Sequence, residues 1–153
     1  MINITEKEIM KNWQGDISEP VVSICCITYN HEKYIEEAID SFLMQETDFP
    51  FEIVIGEDCS IDNTAKIVKI YSNKYPNIIK ATIRTQNAGG MGKNNFIETL
   101  FKCKGEYIAM CEGDDYWTDS TKLQKQVDFL KDNKKYMACY HNTGILRENK
   151  NKN

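Results

Sequence analysis

The apolar positions of this chain fall first into a continuous run and then into a helical stripe. Residues 21–27 form an almost unbroken apolar run, which is typical of a strand buried on both faces of a sheet. In residues 32–45 the apolar side chains recur at the i, i+3, i+4, i+7 and i+8 spacing of an amphipathic helix. Asn30 precedes that stripe and is a candidate for the helix N-cap. The chain is therefore predicted to begin its fold with a strand followed by a helix.

The same order of strand and helix recurs along the rest of the chain. Further strands are predicted at residues 51–55, 78–84, 106–111 and 136–140, and further helices at residues 62–74, 95–104 and 120–132. A glycine-rich loop at residues 86–93 separates the third strand from the next helix. Strands that alternate with helices indicate βαβ units and right-handed crossovers. We predict an α/β fold, a Rossmann-like three-layer α/β/α sandwich with a mostly parallel central sheet.

The domain organisation follows from length and composition. A chain of 153 residues suits one domain that buries most of its surface. Residues 1–19 are predicted to be a polar N-terminal extension in which Trp13 is the candidate anchor. Residues 20–145 are predicted to form the domain, and residues 146–153 a polar tail.

Charge and hydropathy exclude several classes of partner. The net charge is −4, with lysine and arginine scattered along the chain, so a nucleic acid partner is not expected. No apolar run approaches the ~18–20 residues of a membrane span, and the N-terminus lacks a secretory signal. The six cysteines form no Cys-x-x-Cys pair and suit buried thiols in a reducing compartment. We expect a cytoplasmic protein, either free or peripheral at the inner face of the cell membrane.

An acidic segment follows the fourth predicted strand directly and carries the strongest chemical signal. Glu112, Asp114 and Asp115 place three carboxylates within four residues. Hard cations such as Mg²⁺ and Mn²⁺ prefer carboxylate oxygens, and Mg²⁺ is often held by one or two carboxylates together with substrate phosphates. The simpler alternative is an acidic turn without a ligand.

Three strand ends are predicted to meet, because the carboxyl ends of parallel strands lie at one edge of the sheet, where ligands bind in such folds. The residues that follow the first, second and fourth strands include Thr28, Tyr29, Asn30, Glu57, Asp58 and the three acidic residues above. Tyr29 can offer a stacking face, and Asp58 can accept from a base N–H or a ribose hydroxyl. Asp114 and Asp115 can hold the cation that neutralises a pyrophosphate. This set suits a nucleotide diphosphate with its metal.

Each of these residues also has a purely structural interpretation. Tyr29 can cover the sheet edge as a surface aromatic, and Asp58 can belong to a turn. Asp62 is expected to cap the helix that follows it. The glycines of the loop can serve only to permit a tight turn. Lys93 can meet a phosphate, although its loop is not a Walker A motif.

At these residues the sequence resembles the family 2 glycosyltransferases of GT-A fold, from about residue 21 to residue 140. In that family the first strand ends in Thr/Ser-Tyr-Asn, matched by residues 28–30. The second ends in Asp-Asp-x-Ser-x-Asp-x-Thr, matched by residues 57–64 with Glu57 in place of the first Asp. The fourth reads Gly-Glu-Tyr-Ile before a DxD-like motif, matched by residues 105–115 with Glu112-Gly-Asp in place of a strict Asp-x-Asp.

The resemblance implies roles for individual residues. Tyr29 packs near the uracil or other base, and Asp58 binds the base. Asp114 and Asp115 contact the ribose-phosphate region and the divalent metal, Mn²⁺ or Mg²⁺. The predicted nucleotide-sugar-binding residues are Thr28, Tyr29, Asn30, Asp58, Lys93 and Asp114, and the predicted metal ligands are Asp114 and Asp115.

The resemblance also implies the reaction. A metal-dependent glycosyltransferase domain would bind a nucleotide-diphosphate sugar, specifically a UDP-sugar. The sugar would be transferred to a saccharide or lipid-linked acceptor in cell-surface polysaccharide synthesis. The family places its general base in an acceptor-binding half, so that base is expected beyond Asn153 and none is assigned here. His31 and His141 are expected to have surface or hydrogen-bonding roles.

Two other functions compete with this one. A non-catalytic nucleotide-sugar-binding or scaffold module would keep the fold without turnover. A sugar nucleotidyltransferase would use a related sheet and an acidic metal site, but that class carries a glycine-rich basic signature after its first strand. Residues 28–32, Thr-Tyr-Asn-His-Glu, occupy that place here.

Overall fold

The fold is described from a computed structural model, which describes residues 2–146. Its sheet has four strands, β1 (Val22–Thr28), β2 (Phe51–Glu57), β3 (Ile79–Ile83) and β4 (Tyr107–Met110). The strand order is β3-β2-β1-β4, and all three neighbouring pairs are parallel. The parallel sheet of the predicted α/β class is therefore confirmed.

Five α-helices accompany the sheet in the described part of the chain. They are α1 (Glu6–Ile9), α2 (Ile35–Leu43), α3 (Thr64–Lys74), α4 (Lys93–Leu100) and α5 (Lys122–Asp132). Short 3₁₀ turns lie at Met10–Asn12 and Gly90–Gly92. The four helices predicted within the domain are confirmed, with ends that shift by a few residues.

The main core lies between the sheet and helices α2 and α3. Side chains from alternate positions of β1 and β2 form one buried cluster with the apolar faces of these helices, as the two-residue period of a strand requires. Members of the cluster are Val22, Ile24, Cys26, Ile53, Ile55, Ile35, Ile39, Phe42, Val68 and Tyr71. The burial of these side chains provides most of the driving force for folding.

Helix α4 packs on β2 from the other side of the sheet. Asn95 Nδ2 donates to the Gly56 carbonyl oxygen at 2.8 Å. A Cβ atom added at Gly56 would lie 2.0 Å from Thr99 Oγ1, so only glycine permits this approach of helix and strand. Helices thus cover both faces of the sheet, as a three-layer sandwich requires.

The N-terminal segment packs onto the domain. The Trp13 ring contacts Phe51 edge to face, with 5.1 Å between ring centroids, so the predicted anchor role of Trp13 is confirmed. Ile9 is buried, and the Glu6 carboxylate accepts from the Asn77 backbone N–H at 2.7 Å. These contacts attach the N-terminal segment to the domain near the starts of β2 and β3.

Two predictions of local structure are wrong. Helix α2 begins at Ile35 with Tyr34 as its N-cap, whereas Asn30 has φ 57° and its Oδ1 accepts from Ile61 N–H at 3.0 Å. No strand forms at residues 136–140. Tyr136 instead stacks on Phe129 of α5 with 5.7 Å between centroids, and its neighbours are mostly exposed. That segment buries no face against the sheet and therefore gains nothing from strand pairing.

Candidate functional site

The three strand ends meet at one edge of the sheet, as the sequence predicts. Asp58 N–H donates to the Thr28 carbonyl oxygen at 3.1 Å, which joins the end of β2 to the end of β1. Gly113 N–H donates to the Ile27 carbonyl oxygen at 2.9 Å, which brings the acidic segment against β1. The loops after three separate strands therefore share one wall of a common site.

A cleft of about 400 Å³ opens at this edge, within the usual size range of small-molecule sites. Its lining residues are Ile27, Thr28, Tyr29, His31, Asp58, Asn87, Met91, Gly92, Asn95 and Glu112. The structure thus brings together three of the predicted binding residues, Thr28, Tyr29 and Asp58. The other four, Asn30, Lys93, Asp114 and Asp115, are not among the lining residues.

Asp58 is held in a fixed orientation in the wall of the cleft. Its side chain is buried, and its Oδ1 accepts from the Ala88 N–H at 2.7 Å. Arg84 Nε lies 3.7 Å from the same oxygen and partly offsets the charge. Asn87 Nδ2 donates to the Asp58 carbonyl oxygen at 3.0 Å. A carboxylate has about four lone-pair sites, so Asp58 keeps acceptor capacity for a ligand.

Tyr29 and Glu57 differ sharply in exposure. The Tyr29 side chain is 44% exposed at the mouth of the cleft, where its ring is accessible for stacking. Glu57 is completely buried, and its Oε1 accepts from the Ser60 N–H at 2.8 Å. Glu57 Oε2 has no hydrogen-bond partner among the described residues. Glu57 thus shapes the turn after β2, while Tyr29 and Asp58 line the cleft.

The acidic segment contributes one residue to the lining of the cleft. Glu112, Asp114 and Asp115 are all exposed, and Glu112 is the one of the three that lines the cleft. Asp115 N–H donates to the Glu112 carbonyl oxygen at 3.1 Å, which closes the segment into a turn. Asp114 Oδ2 lies 3.8 Å from His31 Nε2.

These carboxylates fit a cation that is shared with a bound phosphate. Within residues 2–146 no group of three or more His, Cys, Asp or Glu side chains is gathered as a complete metal site. Two exposed aspartates suit Mg²⁺ or Mn²⁺, which often take only one or two protein carboxylates and complete their shell with phosphate and water. Asp114 and Asp115 have the donor chemistry for this arrangement.

The glycine-rich segment forms another part of the cleft wall. Four consecutive residues, from Gly89 to Gly92, have positive φ values between 52° and 83°. Glycine adopts this region freely, but Met91 does so at a cost. Met91 and Gly92 line the cleft, and Lys93 begins α4 with an exposed side chain. The glycines therefore set the path of this wall.

The buried cysteines near the site are unreactive thiols. Burial raises the pKa of Cys111 to about 12, and the Asp115 carboxylate adds to this effect. Burial raises the pKa of Cys26 as well. All six cysteines are free, which supports the structural role that the sequence predicts.

Sequence reasoning assigned no ligand-binding role to His31, Asn87, Met91 and Asn95, which line the cleft, and it named Glu112 only as one of three clustered carboxylates at the sheet edge. His31 follows the Thr-Tyr-Asn motif directly, and this position indicates that its side chain lies near the end of β1. The predicted hydrogen-bonding role of His31 is confirmed, because its Nδ1 lies 3.3 Å from Thr28 Oγ1. Asn87 and Met91 lie in a loop whose path cannot be read from its composition.

Comparison with known proteins assigns the chain to a family. The model of glycosyl transferase family 2 matches residues 23–153, and the chain therefore belongs to the family 2 glycosyltransferases. It is 42% identical over 127 residues to an uncharacterised protein of Mycobacterium tuberculosis, covering 83% of this chain and 36% of that protein. It is 36% identical over 127 residues to the poly(ribitol-phosphate) beta-N-acetylglucosaminyltransferase TarS of Staphylococcus aureus, covering 81% of this chain and 20% of TarS.

Solved structures confirm the GT-A fold. Residues 1–349 of S. aureus TarS in complex with UDP match with a TM-score of 0.63 and 35% identity, over 74% of this chain and 32% of that one. The mannosyltransferase PcManGT of Pyrobaculum calidifontis, in complex with GDP-Man and Mn²⁺, matches with a TM-score of 0.63 and 25% identity, over 79% of this chain and 35% of that one. The chain thus spans about a third of each of these structures. No helix in the described part of the chain is long and apolar enough to cross a membrane.

Proposed function

We propose that this chain forms the donor-binding site of a glycosyltransferase and that its donor is a nucleotide-diphosphate sugar, specifically a UDP-sugar. The observation that carries the proposal is the cleft at the carboxyl edge of the sheet, where Tyr29, Asp58 and Glu112 lie together. Ligands of open α/β sheets bind at this edge. The UDP bound to the related TarS supports uracil as the base.

Two side chains hold the base, one by stacking and the other by a hydrogen bond. Tyr29 offers an exposed ring on which uracil stacks. Asp58 accepts a hydrogen bond from the uracil N–H, in an orientation fixed by its hydrogen bond from Ala88. An ionised carboxylate only accepts hydrogen bonds, so Asp58 favours bases that present an N–H at this position.

The diphosphate and sugar extend toward the acidic segment and the glycine-rich wall. Asp114 and Asp115 would hold Mg²⁺ or Mn²⁺, a cation that neutralises charge on a diphosphate leaving group. The Mn²⁺ in the PcManGT complex supports this assignment. Thr28 lines the cleft and would offer its hydroxyl, and the amide of Asn30 and the ammonium group of Lys93 would meet the sugar and phosphates.

The acceptor is a saccharide or a lipid-linked saccharide in cell-surface polysaccharide synthesis. The poly(ribitol-phosphate) named for TarS supports this class of acceptor. Transfer would take place in the cytoplasm or at the inner face of the cell membrane. General-base removal of the acceptor proton requires a side chain within hydrogen-bond reach of the acceptor hydroxyl, and we assign that role to no residue of this chain.

Titration calorimetry with UDP, GDP, UDP-N-acetylglucosamine and GDP-mannose, each with and without Mn²⁺, tests the proposal. We expect the uridine nucleotides to bind more tightly than the guanosine nucleotides and Mn²⁺ to tighten both. Absence of binding by all four under both conditions would contradict the proposed function. Release of sugar from the donor above the rate without enzyme would further separate a catalytic unit from a non-catalytic module of the same fold.

A further inference from the structure

His31 joins the end of β1 to the acidic segment. Its Nδ1 lies 3.3 Å from Thr28 Oγ1, and its Nε2 lies 3.8 Å from Asp114 Oδ2. The side chain is only 22% exposed and lines the cleft. The imidazole ring is therefore placed between a residue of the cleft wall and a candidate metal ligand.

One tautomer suits both neighbours of the ring. An ionised carboxylate only accepts hydrogen bonds, so a neutral ring attracts Asp114 only when Nε2 carries the hydrogen, although the 3.8 Å between Nε2 and Asp114 Oδ2 is longer than a formed hydrogen bond. In that tautomer Nδ1 is an acceptor, and the Thr28 hydroxyl can donate to it across 3.3 Å. The placement of the ring therefore favours the tautomer with hydrogen on Nε2.

The backbone beneath the ring is fixed by the loop after β2. His31 N–H donates to Thr64 Oγ1 at 2.8 Å, and Glu32 N–H donates to Asp62 Oδ2 at 3.1 Å. Asp62 also accepts from the Thr64 N–H at 2.9 Å at the start of α3. Because these hydrogen bonds hold the loop after β1, the ring is oriented before any ligand binds.

We propose that His31 is a positioning residue for Asp114. Its Nε2–H turns one carboxylate oxygen of Asp114 toward the ring and leaves the other for the cation of a bound nucleotide diphosphate. This inference rests on the proposed function, because it concerns the metal of the same site. Partners that orient a metal ligand in this way typically contribute about 10- to 100-fold to metal affinity.

The experiment compares His31→Phe, His31→Gln and His141→Phe with the wild type. Phenylalanine keeps the ring but has no N–H, whereas glutamine places an N–H near the position of Nε2. His141 is exposed, and its Nδ1 lies 3.0 Å from the carbonyl oxygen of its neighbour Asn142, so it serves as the matched control. The measurements are the affinity for UDP without metal and the affinity of the UDP-bound protein for Mn²⁺.

We expect His31→Phe to lower the Mn²⁺ affinity about 10- to 100-fold and to change metal-free UDP binding by less than about threefold. His31→Gln should recover most of the loss, and His141→Phe should behave as wild type. Wild-type Mn²⁺ affinity in His31→Phe would overturn the inference. The inference would also be overturned if His31→Phe lost UDP binding equally with and without metal and His31→Gln did not recover it. That pattern would mean that His31 acts only through packing.

A measurement on the unmodified protein covers the case in which His31→Phe fails to fold. Long-range ¹H–¹⁵N correlation spectra at pH 8.5 report which ring nitrogen carries the proton, and we expect Nε2. Hydrogen on Nδ1 would overturn the inference while leaving the proposed function intact. Failure of the wild type to bind UDP at all would overturn both.

Discussion

Gly113 lies directly on the side chain of Thr28. A Cβ atom built on Gly113 would be 2.6 Å from Thr28 Oγ1 and 2.8 Å from its Cβ, and 3.0 Å from Ile35 Cδ1. Thr28 is buried at the end of β1 and has a stiff, β-branched side chain. The acidic segment is therefore seated on β1 because residue 113 has no side chain.

Gly113→Ala should lower the free energy of unfolding by about 1–3 kcal/mol, the usual cost of overfilling a packed region. It should also weaken Mn²⁺-dependent nucleotide binding, because the segment that carries Asp114 and Asp115 is pushed outward. Urea denaturation and calorimetry measure the two effects. Gly144→Ala is the control, since no atom lies within 4 Å of a Cβ at that position. Equal stability of the two variants would show that the contact relaxes without cost.

Asp115→Ala and Asp58→Asn should separate metal binding from base binding. Loss of the Asp115 carboxylate should abolish the tightening of UDP binding by Mn²⁺, while stability changes by less than about 0.5 kcal/mol, as for most exposed side chains. Asp58→Asn should weaken UDP binding with and without Mn²⁺, because its partner is the base. The measurement is calorimetry of both variants under both conditions.

The opposite result would exchange the assignments of these two strand ends. If Mn²⁺ still tightens binding to Asp115→Ala but no longer affects Asp58→Asn, the cation lies at the end of β2. Thermal unfolding without ligand provides the control, because Asp58 is buried and its replacement can act through stability alone.

Lys122 should make stability depend on pH in the alkaline range. Its Nζ lies 4.0 Å from the Trp117 ring centroid and 2.7 Å from Gln126 Oε1. Burial lowers the pKa of Lys122 below its ordinary value of 10.5. In the window just below 10.5 the unfolded chain therefore binds more protons than the folded one, and stability rises with pH.

Lys122→Met should remove this contribution. The stability of the wild type relative to the variant should be constant at neutral pH and should increase as the pH rises toward 10.5, where burial of the charge ceases to oppose folding. Urea denaturation of both proteins between pH 7 and pH 10.5 measures the difference. A constant or decreasing difference would mean that Lys122 is well solvated in the folded protein.

Cys103 should be alkylated before the buried cysteines. The hydrogen bond from Cys25 lowers the pKa of the Cys103 thiol, whereas burial raises the pKa of Cys111 to about 12. The thiolate is the nucleophile, so iodoacetamide at pH 7.5 should label Cys103 faster than Cys25 or Cys111. Peptide mass spectrometry measures the rates. Cys25→Ala should slow the labelling of Cys103, and an unchanged rate would contradict the role of this hydrogen bond.

The sheet and its helices could be predicted because their signals are local. The apolar run at β1 and the stripe at α2 are fixed by burial on both faces of a strand and on one face of a helix. The meeting of the strand ends then follows from parallel pairing alone. The apolar residues near Tyr136 predicted a strand that does not form. Strand pairing requires an open edge of the sheet beside the segment, and composition does not reveal whether one is there.

The details of the site depend on contacts between distant loops, which spacing does not encode. The sequence predicts Asn30 as a helix N-cap, but its φ of 57° turns its side chain toward the Ile61 N–H. The sequence identified three clustered carboxylates without distinguishing Glu112, which lines the cleft, from Asp114, which lies beside His31. The first outcome depends on a loop conformation that forms when β1 and β2 are paired, and the second on one that forms when β4 pairs with β1.

The strand order also bears on the time at which the site assembles during folding. In the register of the sheet Val22 pairs with Phe51 of β2 and with Tyr107 of β4, and the second partner is much more distant along the chain. Closing the longer loop costs more chain entropy and slows such pairings. We therefore expect the base-binding half of the cleft to form early and the acidic segment to arrive with β4, so that a folding intermediate would bind the nucleoside before it responds to the metal.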